Sequence, residues 1–230
     1  MNKITDTEDL FCSQWFQMPG WTYPQDLNQR TLDIARRRLR EIAYHEAGHI
    51  AARAFTGLDY SHILWVSVIP DEDEGCGWGV LSRGYNAEWD FADSTPLGLG
   101  YQVLLRLLAG SVAGIRGTVD PEYREELQDD WNYWEWESDE EDFPRAEEIS
   151  HMLARRHHPA HHIIRQAKQW TEEMLDRPDV WQCVKTLAGM LLREGTLSAR
   201  EIYPAMDRVV GIHGLKGVDR RKWLRRFAQK

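Results

Sequence analysis

The stretch Ala43-Tyr44-His45-Glu46-Ala47-Gly48-His49-Ile50 decides how the rest of the chain reads, because it spells His-Glu-x-x-His inside a segment with helical flanks. An α-helix advances 3.6 residues per turn, so side chains four apart stand one above the other on one face. His45 and His49 can therefore bind a single ion, with Glu46 beside them to hold and deprotonate a metal-bound water. Leu32, Ala35, Leu39 and Ile42 recur upstream at intervals of three and four, and that stripe runs on to Glu46 and His49. The motif thus faces inward. Two imidazoles and a carboxylate taken out of water without partners cost on the order of several kcal/mol, and a bound cation, Zn2+ for this motif class, is the simplest compensation.

The 230 residues, 42% of them hydrophobic, suffice for one core with small appendages. The longest weakly polar stretch, Tyr101 to Ile115, is interrupted by Arg106 and is too short for a bilayer, and the N-terminus has no apolar signal core. These features predict a soluble, cytoplasmic protein with no membrane span. Cys12, Cys76 and Cys183 are odd in number and widely spaced, which argues against a disulfide framework and against a Cys-x-x-Cys zinc knuckle. A formal charge of −9 argues against nucleic acid as a partner.

Mainly helical structure with a small β hairpin or sheet is the expected fold class. Residues 1–27 hold Phe11, Trp15, Phe16, Trp21 and Tyr23 among Pro and Gly without a sustained period, and read as an irregular aromatic arm. A long helix follows from about Asn28 to Phe55, with Gly57 suited to end it. Ser61 to Pro70 is β-branched and apolar and, with Gly77 to Ser82, reads as a hairpin that one further edge could extend. A strand edge beside the motif helix suits an extended peptide, which can add to it through backbone hydrogen bonds; a strand that merely shields the helix is the plainer reading. Thr95-Pro96 opens another helix to about Ile115, with Gly98, Gly100, Gly110 and Gly114 allowing close approach to the first.

Composition then changes sharply. Residues 119–141 form an acidic, Trp-rich insertion in which Trp131, Trp134 and Trp136 stand among carboxylates balanced only by Arg124, as in a solvated loop or a lid. Helices resume at about Pro144 to Arg156, Pro159 to Leu175 and Pro178 to Arg193, with prolines as first-turn residues. Ser198 with Glu201 makes a capping-box start for a last helix to about Val210. The main domain thus spans 28–215, and 216–230 form a basic tail suited to solvent, to the acidic insertion or to a neighbouring subunit. His157, His158, His161 and His162 form two i, i+4 pairs across Pro159 and read as an exposed helix start.

Catalytic zinc usually takes three protein ligands, so the two histidines need a partner. A compact third histidine is excluded, because Ala52 and Phe55 occupy the relevant positions. Asp71, Glu72, Asp73 and Glu74 look like a hairpin tip. Asp142, before Phe143-Pro144, can head a later helix, where by itself it reads as a helix cap more readily than as a ligand.

At this point the sequence resembles the peptidase domain of the FtsH-type zinc proteases. Ala43 to His49 is similar to that family's motif residue for residue, Val66-Ser67-Val68-Ile69-Pro70 to its following strand, and Leu108-Ala109-Gly110-Ser111-Val112-Ala113 to its small-residue helix. Asp142-Phe143-Pro144-Arg145-Ala146-Glu147-Glu148-Ile149 is similar to the segment that opens with its aspartate ligand, and Thr196-Leu197-Ser198 before Glu201-Ile202 to its last helix. The resemblance implies zinc held by His45, His49 and Asp142, with Glu46 as general base. Gly114 stands where the family usually has a glutamate supporting the zinc site, and no Gly-x-x-x-x-Gly-Lys-Ser/Thr loop occurs, so the ATPase module is absent from this sequence. The expected function is therefore a stand-alone, ATP-independent zinc metallopeptidase acting on peptides, unfolded segments or small proteins. A non-cleaving zinc-binding regulatory or interaction module is the alternative. A homo-oligomer is compatible with the resemblance.

Overall fold

The computed structural model describes residues 29–56, 63–71, 77–82, 97–118, 142–154 and 159–209. The aromatic arm (1–27), the acidic insertion (119–141), the basic tail (216–230) and His157 and His158 lie outside these residues. The described elements run α1 (Gln29–Thr56), β1 (Ile63–Asp71), β2 (Gly77–Ser82), α2 (Leu97–Thr118), α3 (Asp142–Leu153), α4 (Ala160–Leu175), α5 (Pro178–Glu194), β3 (Thr196–Ser198) and α6 (Ala199–Val209). The fold is mainly α with a small antiparallel sheet.

Helix α2 occupies the middle. From Tyr101 to Ile115 only Gln102 escapes burial, and a helix without a polar face has to be enclosed by neighbours. Helix α1 packs along it, α3 and α4 cover other sides, and α5 lies against α1. The α1/α2 pair is unusually close because small residues meet there. A Cβ placed on Gly48 would run into the Ala109 carbonyl oxygen and stand 2.7 Å from the Ala113 Cβ. Helix backbone cannot swing aside as a side chain can. Gly48→Ala is therefore expected to destabilise the protein by about 1–3 kcal/mol, although alanine is the better helix former by roughly 1 kcal/mol. Urea unfolding measures this, and an unchanged midpoint would contradict the close approach.

In the sheet β1 is central, antiparallel to β2 on one side and β3 on the other, with Val66 facing Val80 and Leu197. Ile63, Val66 and Val68 are buried, while Ser67 Oγ meets Thr196 Oγ1 at 2.7 Å. The third strand comes from an unexpected place, between the last two helices. Gly195 has φ 74, the left-handed region that suits glycine; its N–H closes α5 onto the Leu191 carbonyl at 2.8 Å and its own carbonyl accepts from Val68 N–H at 2.9 Å. The chain is thereby turned straight from helix into strand.

Helix ends follow the punctuation. Pro159 and Pro178 precede or open α4 and α5. At the start of α6 the Glu201 carboxylate accepts from the Ser198 backbone N–H at 2.8 Å and from its hydroxyl at 2.6 Å, which pulls the Glu201 pKa below its ordinary value. Tyr203 on α6 donates to the Ile63 carbonyl at 3.0 Å and ties that helix to β1. Among the described residues no helix is long and apolar enough to cross a membrane.

Candidate metal centre

Three donor atoms from two distant parts of the chain converge beside α2. His45 and His49 project from α1 one turn apart, and Asp142 is the first residue of α3, where the positive end of the helix dipole favours a carboxylate. Nε2 of His49 lies 2.9 Å from Nε2 of His45 and 2.8 Å from Oδ2 of Asp142, which is 3.3 Å from Nε2 of His45. Among the described residues this is the group of three His, Cys, Asp or Glu side chains able to hold an ion.

The protons decide what such a cluster wants. His49 Nδ1 is 2.7 Å from the Arg106 carbonyl oxygen, which can only accept, so Nδ1 carries the hydrogen. In the neutral ring Nε2 is then a bare lone pair aimed at a carboxylate oxygen and a second imidazole nitrogen. A neutral His45 can place one hydrogen among these atoms, whereas a divalent cation satisfies all three donors at once. Around a tetrahedral zinc with bonds of about 2.0–2.1 Å, neighbouring donors stand about 3.3 Å apart. The 2.8–3.3 Å observed are near that spacing, so small outward shifts of the rings would accommodate an ion. The donor chemistry fits a divalent first-row metal.

A proton is the competitor. Burial works against a charged His49 and is the largest single influence. The adjoining Asp142 carboxylate and its hydrogen bond, with the Glu46 charge and the Arg106 carbonyl, outweigh burial and raise the pKa from 6.5 to about 9. For Asp142 burial likewise opposes the charged form, yet the His49 charge and hydrogen bonds from both histidines hold its pKa well below the ordinary 3.8.

In the metal-free protein these shifts make stability depend on pH. The His49 contribution, from a pKa raised on folding, is fully present below pH 6.5 and is lost as pH rises through about 9. The Asp142 contribution, from a depressed pKa, is present above pH 3.8 and lost as pH falls. The metal-free protein is thus expected to lose the His49 contribution from pH 6.5 to 9, whereas an added divalent ion, replacing the proton, removes that alkaline loss. Melting curves across this range, with His49→Gln as the control, check the expectation. A chelated protein whose melting temperature stays flat from pH 6.5 to 9 would contradict it.

Glu46 is 2% exposed and close enough for its charge to act on His49. His45, His49 and Asp142 thus lie together, with the Glu46 charge felt at His49. The side chains of Asp71, Glu72, Asp73 and Glu74, the alternative carboxylates, lie outside the described residues. The Arg106 carbonyl, a backbone group that any residue could supply, escaped sequence reasoning. Gly110, expected to allow close approach of the two helices, does so at the ligand nitrogens themselves: a Cβ there would run into Nε2 of His49 and stand 2.7 Å from Nε2 of His45. Gly114 is different, since a Cβ on it would make only ordinary contacts, 3.4 Å from Glu41 and 3.7 Å from His45 Cβ.

The remaining expectations are quieter. His161 and His162 are exposed and stack edge to face, as surface residues of a helix start. Cys183 is a buried free thiol whose pKa is pushed up to about 12 by burial and by the Asp179 charge, and so is unreactive. Comparison with protein-family profiles, with curated proteins and with solved structures finds no match to this chain.

Proposed function

We propose that this chain is a zinc metallopeptidase that hydrolyses peptide bonds in unfolded segments or small proteins without ATP. The observation that carries the reading is the convergence of His45, His49 and Asp142 on one point with the buried Glu46 beside them. The resemblance of Ala43 to His49 and of Asp142 to Ile149 to the FtsH-type peptidase domain supports it. A divalent ion bound there supplies Lewis acidity, bringing water to a reactive form near neutral pH and polarising a carbonyl oxygen.

The chain's own residues do the rest. His45, His49 and Asp142 hold the ion, and the Arg106 carbonyl keeps His49 in the tautomer that presents Nε2. Glu46 accepts a proton from the attacking water and delivers it to the leaving amine nitrogen. The free thiol of Cys183 fits a reducing compartment, and we assign the protein to the cytoplasm.

The test is degradation of an unstructured protein such as casein by the zinc-loaded chain without ATP. Cleavage is expected, abolished by a zinc chelator and restored by added zinc. Gly114, lacking the glutamate that supports the site in the resembling family, favours the other reading, a zinc-binding module that does not cleave. Intact casein at saturating zinc would establish that second reading in place of the first.

A further inference from the structure

Glycine is an unfavourable residue inside a helix, so each glycine of α2 needs a reason to be there. Those along the contact with α1 have different ones. Gly117 leaves room for the ring of Tyr44, whose Cδ1 and Cδ2 would stand 2.5 and 2.6 Å from a Cβ there. Gly114 has nothing but ordinary contacts to avoid. Gly110 faces the ends of two imidazoles, one turn of α2 beyond Arg106, whose carbonyl fixes His49. The three atoms nearest to a Cβ at 110 are Nε2 and Cε1 of His49 and Nε2 of His45, all of them imidazole atoms.

We infer that Gly110 is a positioning residue of the metal centre: the space its missing side chain leaves is the space in which both ligand nitrogens converge. The inference rests on the metal-binding reading above and deepens it. Gly110 donates nothing to the ion. A methyl group at this position would occupy the approach of the two nitrogens to each other, and the rings, which turn about their side-chain bonds, would give way before the helix did. The effect of a substitution is therefore confined to the site. Gly48 offers the contrast, since there an added methyl meets backbone and the packing of the two helices must yield.

The experiment compares wild type, Gly110→Ala, Gly114→Ala and Gly48→Ala in the full chain. Zinc affinity is read by competition with a chromophoric chelator, and the melting temperature is read after chelation. The visible absorption of the Co(II)-loaded protein reports how many ligands remain. Gly110→Ala is expected to weaken zinc binding by at least about 10–100-fold, the range seen when a ligand loses its orienting support. Its Co(II) spectrum should change, while its metal-free melting temperature holds or rises. Gly114→Ala should bind zinc within about threefold of wild type, its added methyl making only ordinary contacts.

Wild-type affinity and Co(II) spectrum retained in Gly110→Ala would overturn the inference and leave the metal site standing. A metal-free melting temperature lowered as far as that of Gly48→Ala would overturn it too, by showing a general packing role. If the wild type itself bound no zinc, the metal-site reading would fall, and this one with it.

Discussion

Zinc binding by the His49→Ala chain is expected to be about 10²–10³-fold weaker than that of the wild type. The magnitude follows from structural zinc sites, where roughly 10–16 kcal/mol is shared among four ligands, so that one ligand accounts for about 2.5–4 kcal/mol. His49 is the member with the most to lose. Its Nε2 is within 2.9 Å of both other donors, and its Nδ1 is anchored on α2. Removing the ring takes away one ligand and also the contact that holds the Asp142 carboxylate charged in a largely buried place. Asp142→Asn tests the same site from the other helix: it keeps the shape, removes the charge, and is expected to weaken zinc by a similar factor. Isothermal titration against a competing chelator resolves such changes. Equal affinity in wild type and His49→Ala would mean that the ion sits elsewhere.

Glu46→Gln is expected to separate binding from chemistry. The amide has nearly the volume of the carboxylate, so packing around this buried position is preserved, but it cannot accept a proton from water. Hydrolysis of casein should fall by about 10²–10⁴-fold, the usual value of a positioned general base. Zinc stoichiometry should not change, because Glu46 is outside the three-donor group. Affinity is expected to fall somewhat, since the Glu46 charge is one of the influences favouring a cation at His49. A variant that lost zinc together with activity would place Glu46 among the ligands. Undiminished hydrolysis would remove it from the mechanism.

The two ends of the site differ in how they show in the sequence. His45, Glu46 and His49 are legible because helical period and ligand spacing coincide: four residues apart is both one turn of helix and the reach of two imidazoles to one ion. Asp142 is not legible in that way. An aspartate before Phe-Pro at a helix start serves equally as a cap, and only the resemblance singles it out, since what brings it to histidines more than ninety residues earlier is the packing of α3 against α2. The Arg106 carbonyl acts through backbone position and leaves no residue type that announces it, while Gly110 shows as a close-approach glycine but not as a neighbour of the ligand nitrogens. Strand β3 was missed because three residues between two helices carry no period, and their pairing with β1 depends on the turn at Gly195. The helix limits at Pro159 and Pro178 come out well, because a missing N–H and a fixed φ act locally.

The central claim is that one ion sits between α1 and the start of α3, and a zinc-edge anomalous difference map from crystals of the zinc-loaded protein tests it most directly. A single strong peak is expected about 2.0–2.2 Å from Nε2 of His45, Nε2 of His49 and a carboxylate oxygen of Asp142, with a further coordination position open to water. A peak elsewhere in the molecule, or one at the histidines with Asp142 turned away and another side chain in its place, would contradict it.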